Sequence, residues 1–165
     1  MIILVSDTSV LLDLERGGLL EAAFTCGLTM VVPDLLYDRE LAEDNGPWLK
    51  QLGLGVVSLT PEEVANAQAA RTARPTLSLP DCFALSCATR EGYALVTGDK
   101  ALRSEAMTRI GEVFGLFLIL DQIAASGQLK LTALVDGLTR IANHPRCRLP
   151  KAEIQKRLND WKTAE

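Results

Sequence analysis

The sequence predicts an α/β domain of three layers, with a central, mainly parallel sheet of four to five strands between helices and a helical extension at its C-terminal end. Three observations carry this. Short β-branched runs alternate with helical patterns over the first two thirds of the chain, and strands joined through helices run parallel with both faces covered. The chain has 165 residues, enough for one good core and too few for two, since domains run to roughly 100–200 residues. Apolar residues make up 48% and charged residues 23%, a globular balance that excludes a disordered chain.

Residues 2–6 form the first strand, and a helix over 8–16 follows and stops at Gly17-Gly18. A second helix over 19–25 leads through Gly27 into a β-branched strand over 28–32. Pro33 opens a helix that runs to about residue 43 and ends at Asn45-Gly46-Pro47. A helical turn over 48–52 precedes a weak strand at 56–58. Thr60-Pro61-Glu62-Glu63 is a capping box with proline at the first helical position, which starts a helix to about residue 72, and 73–77 reads as a loop. A helix over 80–91 ends at Gly92; a strand at 93–97, a helix at 100–109 and a last weak strand at 112–116 follow. From 117 onward the pattern is helical only, with helices at 118–126, 131–143 and 150–162 separated by Gly127 and by His144-Pro145.

The start of the chain reaches Asp7 after a few apolar residues with no basic segment, and the apolar stretch 116–120 is far too short to span a bilayer. A soluble, cytoplasmic protein is expected. Cys26, Cys82, Cys87 and Cys147 form no Cys-x-x-Cys pair and His144 is the one histidine, so a zinc site is poorly supported and the thiols read as buried or incidental. Net charge is −4, an unpromising sign for holding RNA, which calls for clustered Lys and Arg. A local basic rim can nevertheless coexist with acidic metal ligands, because bound ions reverse the sign of the field where a phosphate sits.

In an open parallel sheet, ligands bind beyond the carboxyl ends of the strands. Asp7 directly follows the first strand, and Asp99 lies two residues beyond the strand ending at Thr97. Both precede a helix, so N-capping explains each singly. Asp81 fits a Ser78-x-x-Asp81 capping box, yet shares a stripe with Ala84, Leu85 and Ala88 that faces the sheet. A carboxylate pointing inward is costly unless a cation or donors satisfy it. Glu40 shares a helical stripe with Leu36 and Glu43; solvation explains it when taken alone, and Glu43 is its substitute. The joint pattern is an acid after the first strand, one on the helix after the second, one at a later helix start and one after the following strand. With Lys100 the one lysine in these motifs, such acids brought together would repel one another, and a divalent metal relieves that. Oxygen-only ligands favour Mg²⁺ or Mn²⁺ over zinc, and phosphodiester hydrolysis is the reaction that uses what such an ion supplies.

The segments Val5-Ser6-Asp7-Thr8-Ser9-Val10-Leu11-Leu12-Asp13-Leu14, Val32-Pro33 followed by Arg39-Glu40-Leu41, Leu79-Pro80-Asp81 leading into Ala84-Leu85-Ser86-Cys87-Ala88, and Leu95-Val96-Thr97-Gly98-Asp99 together resemble the PIN-domain nucleases. The likeness is to the bacterial and archaeal branch that includes VapC-type toxins. It implies a PIN-like sheet, Mg²⁺ or Mn²⁺, endoribonuclease activity on an RNA substrate, and Asp7, Glu40, Asp81 and Asp99 as the catalytic and metal-holding quartet. Thr8 and Thr97 match the family's supporting hydroxyl positions. The resemblance also implies a homodimer neutralised by a small antitoxin protein. On this basis residues 1–121 are the PIN-like nuclease domain, and 122–165 are a C-terminal helical extension packed on the same domain.

Arg39, Lys100 and Arg103 are the nearest basic residues to the acids in sequence, and with Arg71 and Arg74 they are candidates for phosphate contact, though solvated surface explains any one of them. Trp48 and Trp161 can stack on bases, but a helical tryptophan more often anchors packing. Asp13, Asp34, Asp38, Glu43 and Asp44 read as solvent-facing or capping, and His144 as structural or solvent-facing. The alternative function is a catalytically inactive PIN-fold binding or regulatory module, motivated by the acidic net charge and the long tail. A receiver-like phosphoacceptor domain needs an Asp at the end of the third strand, where Val56-Val57-Ser58-Leu59 offers none.

Overall fold

β1 (Ile3–Ser6) is buried from Leu4 onward, as suits a β-branched run in the middle of a sheet covered on both faces. In the computed structural model, which describes residues 2–164, it pairs with β2 (Thr29–Pro33) on one side and β4 (Tyr93–Val96) on the other. β3 (Gly55–Val57) extends the sheet beyond β2, and β5 (Val113–Phe114) extends it beyond β4. The order is β3-β2-β1-β4-β5, and every pairing is parallel. From β1 the chain builds outward through β2 and β3, then returns to lay β4 on the opposite side of β1. The carboxyl ends of β1 and β4 therefore flank the point where the connections part, which is where open α/β sheets bind ligands. Five parallel strands flanked by helices agree with the predicted fold class.

Helices α1 (Thr8–Arg16) and α2 (Leu20–Thr25) follow β1. After β2 the sequence pattern called for one helix from Pro33, but Pro33 ends the strand and α3 (Asp34–Leu36) gives way to a π-helical turn, Tyr37–Leu41. The Ala42 amide donates to the Tyr37 carbonyl at 2.8 Å, a bond across five residues. The turn is tightly packed by the helix that follows. α4 (Gly46–Leu52) presses its first residue so close that a β-carbon on Gly46 would lie 2.5 Å from the Leu41 carbonyl oxygen and 2.7 Å from the Tyr37 ring. Gly46, expected to end a helix, thus begins one.

α5 (Pro61–Ala73) starts with the predicted capping box between Thr60 and Glu63. α6 (Leu79–Ala88) is buried continuously from Cys82 to Ala88 and lies against β1, β2 and β4 as well as α3, α5 and α7 (Lys100–Arg109). A helix apolar on all sides belongs in the interior. It stops three residues short of the predicted end because the Thr89 and Arg90 amides fold back on the Ser86 and Cys87 carbonyls, ahead of Gly92 with φ +79°. Arg90 then bonds Glu63 at 2.7 Å and the Ser58 carbonyl at 2.7 Å, and this guanidinium holds the Glu63 carboxyl well below its usual range.

α8 (Leu116–Ser126), α9 (Leu131–Asn143) and α10 (Lys151–Thr163) complete the chain. The expected boundary at 121/122 falls within α8, whose Leu116, Ile119, Leu120 and Ile123 are buried. α8 packs on α2 and α9, α9 on α1, and α10 on α9. Where α9 meets the end of α1, a β-carbon on Gly137 would lie 2.9 Å from the Gly17 carbonyl oxygen and 2.8 Å from Leu19, so the backbones touch there. Arg157 fastens α10 to α8 through two bonds of 2.8 Å to Asp121. Trp161 is buried, as a packing anchor should be, whereas Trp48 is 46% exposed. The four cysteines are free, three of them buried. Among the described residues, no helix is long and apolar enough to cross a membrane.

Helix propensity alone makes Gly→Ala within a helix stabilising by about 1 kcal/mol. At Gly137 the opposite sign is expected: Gly137→Ala should destabilise by about 2 kcal/mol in urea titration, because the new methyl meets backbone and must push α9 off α1. A neutral or stabilised variant would show that this contact does not constrain the docking of the C-terminal helices.

Candidate functional site

The register of β1 on β4 places Ser6 opposite Val96, so the next residues of the two strands, Asp7 and Thr97, leave the sheet side by side. The Asp7 amide still donates to the Val96 carbonyl at 3.2 Å. Its side chain caps α1, with Oδ1 accepting from the Val10 amide at 3.0 Å and the Ser9 hydroxyl at 2.8 Å. Oδ2 accepts from the Thr97 hydroxyl. Asp7 is only 2% exposed. Burial outweighs these donors and pushes its carboxyl up to about 6, with the Asp81 charge adding in the same direction.

The Thr97 hydroxyl also accepts from the Asp99 amide at 3.0 Å, so one threonine joins the acids that follow β1 and β4. Asp99 caps α7 through Oδ1, which accepts from the Leu102 amide at 2.9 Å. Asp81 stands in the first turn of α6, whose N-cap Ser78 accepts from the Asp81 amide at 3.1 Å. Burial raises the Asp81 carboxyl, and the charges of Asp99 and Glu40 raise it further. Glu40 projects from the exposed middle of the π-helical turn, and its Oε1 accepts from the Thr8 hydroxyl at 2.8 Å. All four predicted acids therefore meet at one edge of the sheet, with Asp81 close enough to feel the other three. The Thr8 hydroxyl donates to Glu40 and the Thr97 hydroxyl to Asp7. Glu43, the substitute for Glu40, lies exposed beyond the π turn with Asp44, and Asp38 is exposed within it. Asp34 accepts from the Leu35 and Leu59 amides, a local capping role.

The basic residues are arranged differently from their sequence order. Arg103 donates to the Thr97 carbonyl at 3.4 Å and braces the end of β4. Arg39 lies 5.9 Å from the centre of the Phe83 ring, while Lys100 is exposed at the start of α7. Among the described residues, the cation at ion-pair distance from Asp99 is Arg148, whose Nη1 is 3.9 Å from Asp99 Oδ2. It comes from the loop between α9 and α10 and was missed because nothing local in the sequence links it to an acid forty-nine residues earlier. Asp13, expected at the surface, is half-buried beside Arg16 at 3.3 Å, and burial raises its carboxyl.

Among the described residues, no three His, Cys, Asp or Glu side chains form a ready metal cage. The donor chemistry nonetheless suits a hard divalent cation. Every candidate ligand is a carboxylate oxygen, and burial raises the proton affinity of Asp7. Asp7, Glu40, Asp81 and Asp99 are the residues that would hold such an ion.

An open parallel sheet whose switch point gathers four carboxylates, with neither thiol nor imidazole among them, defines an acid-centred α/β domain. The family model DUF3368, a PIN domain, matches residues 3–163, so the chain belongs to the PIN-domain family and has its nuclease-like fold. The match runs through α10, so the C-terminal helices lie within the family's own extent. No curated protein matches the chain.

A carboxyl raised from 3.8 to about 6 on folding contributes stability that is complete below pH ~4 and is lost as pH climbs through 6. The contribution is on the order of 2–3 kcal/mol for a group this buried. In metal-free protein, Asp7→Asn should accordingly raise stability at pH 8, keep about half of that advantage at pH 5 and lose it near pH 4, as read from chemical denaturation across that range. A pH-independent difference, or a loss of stability at pH 8, would contradict the burial argument.

Proposed function

We propose that this protein is a metal-dependent endoribonuclease that hydrolyses RNA phosphodiester bonds with Mg²⁺ or Mn²⁺ held by Asp7, Glu40, Asp81 and Asp99. The observation that carries the reading is the gathering of acids at the β1/β4 switch point, where Thr97 bonds both the Asp7 carboxylate and the Asp99 amide and Thr8, next to Asp7, bonds Glu40. Membership of the PIN-domain family supports it independently. When bound, the ion supplies Lewis-acid stabilisation of phosphoryl charge and lowers the pKa of an attacking water. The protein's own part is to fix the carboxylates. Capping bonds to the Val10 and Leu102 amides hold Asp7 and Asp99, Thr97 sets their spacing, and Thr8 draws Glu40 in from the π turn. Groups pre-positioned in this way need little reorganisation during the reaction.

Within this reading, a role as the toxin of a toxin–antitoxin pair, cytoplasmic, homodimeric and blocked by a small antitoxin, rests on the resemblance to VapC-type toxins. A second reading, a non-catalytic binding or regulatory module, is favoured by one observation: Asp7, Asp99 and Glu40 each accept hydrogen bonds from their own chain.

Incubating the purified protein with single-stranded and structured RNA and Mn²⁺ tests the enzyme reading. Cleavage should stop with EDTA and fall at least a hundredfold in Asp81→Asn and in Asp7→Asn, both of which should remain folded. Cleavage that persists in EDTA or in both variants would remove this mechanism. Calorimetry that detects no Mn²⁺ binding at millimolar concentration would favour the module. Thr97→Val, which removes the hydroxyl shared by Asp7 and Asp99, should lower the rate by roughly tenfold or more while the protein stays folded; an unchanged rate would show that the hydroxyl does not position the acids.

A further inference from the structure

We propose that residues 144–150, the loop between α9 and α10, form with α1 a subsite for the RNA phosphodiester backbone beside the acidic cluster, in which Arg16, Arg146 and Arg148 contact the phosphates. The inference rests on the ribonuclease reading and adds to it the path of the substrate.

A cavity of about 230 Å³ opens next to Asp99, and its lining includes Ser9, Gly98, Arg16, Arg146 and Arg148. Ser9 and Gly98 belong to the loops that follow β1 and β4, so this cavity and the acidic cluster share one lip of the sheet. Three guanidinium groups face it against two carboxylates, Asp13 and Asp99. That is a local cationic excess in a chain whose net charge is −4.

The loop is built to present these cations. The Cys147 amide donates to the His144 carbonyl at 3.0 Å, closing a turn with Pro145 at its second position, where proline's fixed φ fits. His144 Nδ1 accepts from the Arg146 amide at 3.1 Å, so the one histidine serves to shape the turn. The Arg148 side chain is 74% exposed, and among the described residues its one partner at ion-pair distance is Asp99, at 3.9 Å. Neither Arg146 nor Arg148 donates a side-chain hydrogen bond among the described residues, while Arg16 donates one, to Asp13 at 3.3 Å. Most of these planar donors thus remain available, and guanidinium forks match phosphate oxygens in pairs.

The lining also indicates what is read. Among the described residues it contains no aromatic ring, so bases have no stacking platform there. Contacts limited to phosphate position a strand without reading its sequence.

Fluorescence anisotropy with a labelled single-stranded RNA, titrated across salt concentrations in EDTA, tests the subsite apart from cleavage. The double variant Arg146→Gln/Arg148→Gln should bind about tenfold more weakly at low salt, and its slope of log K against log salt should fall by about 1.4, or 0.7 for each lost phosphate contact. Its melting temperature should match the parent's, since both side chains are exposed. An unchanged affinity and slope in the folded double variant overturns the proposal. Polyglutamate that competes as well as RNA also overturns it, since the loop would then be a dock for an acidic protein. A parent that binds RNA in this arginine-dependent way but never cleaves it supports the subsite and removes the ribonuclease reading. A parent that cleaves while the variant keeps its slope removes the subsite alone.

Discussion

The registration of β1 against β4 is the constraint on which the rest of the molecule depends. Because Ser6 pairs with Val96, Asp7 and Thr97 are adjacent where the strands end, and the Thr97 hydroxyl reaches both the Asp7 carboxylate and the Asp99 amide. A slip of one residue would invert every side chain of the strand with respect to the faces of the sheet. Leu4 and Val5 point to opposite faces and are both fully covered, so no alternative register keeps the core. Core packing and site assembly are therefore a single requirement, and the fold is specified by interactions that have nothing to do with phosphate.

That arrangement carries an electrostatic cost. Asp7 gains three donors and still has its carboxyl pushed upward, because removal from water outweighs them. Asp81 adds to the strain. It is introduced by α6, the most completely buried helix, whose apolar faces fix its axis against β1, β2 and β4. The N-terminal turn of such a helix has little freedom to move its acid away from the others. A fold organised in this way keeps its carboxylates close because the interior is packed, and that is the condition under which a cation gains most by binding.

Much of this was legible in the sequence, and for a physical reason. Strand ends, helix caps and the buried stripe of α6 are local patterns set by φ, ψ and burial. Capping and a place in the acidic cluster are also compatible at Asp7 and Asp99. A carboxylate has two oxygens: in both residues Oδ1 caps the following helix, while Oδ2 meets Thr97 in one case and Arg148 in the other. Capping alone had been enough to account for each when taken singly. What escaped was tertiary. The π-helical turn is followed by Gly46, which packs so near the Leu41 carbonyl that a β-carbon would not fit, a contact that no periodicity in residues 33–43 encodes. The arginine at ion-pair distance from Asp99 comes from the far side of α9, whereas Arg103, close in sequence, braces a carbonyl instead.

The C-terminal helices acquire their meaning from the same geometry. The contact of Gly137 on Gly17 lets α9 settle directly against the end of α1, and α1 is the helix that Asp7 caps. The loop that follows α9 is thereby delivered to the mouth of the acidic edge, with a proline turn and a histidine bond to hold its shape. Net charge is a poor guide to such a molecule, because acids and arginines are sorted over a few ångströms: carboxylates line the switch point, and guanidinium groups face the adjoining cavity. At physiological ionic strength charges are screened over about 8 Å, so a polyanion arriving at that lip responds to this local sorting and hardly at all to the total.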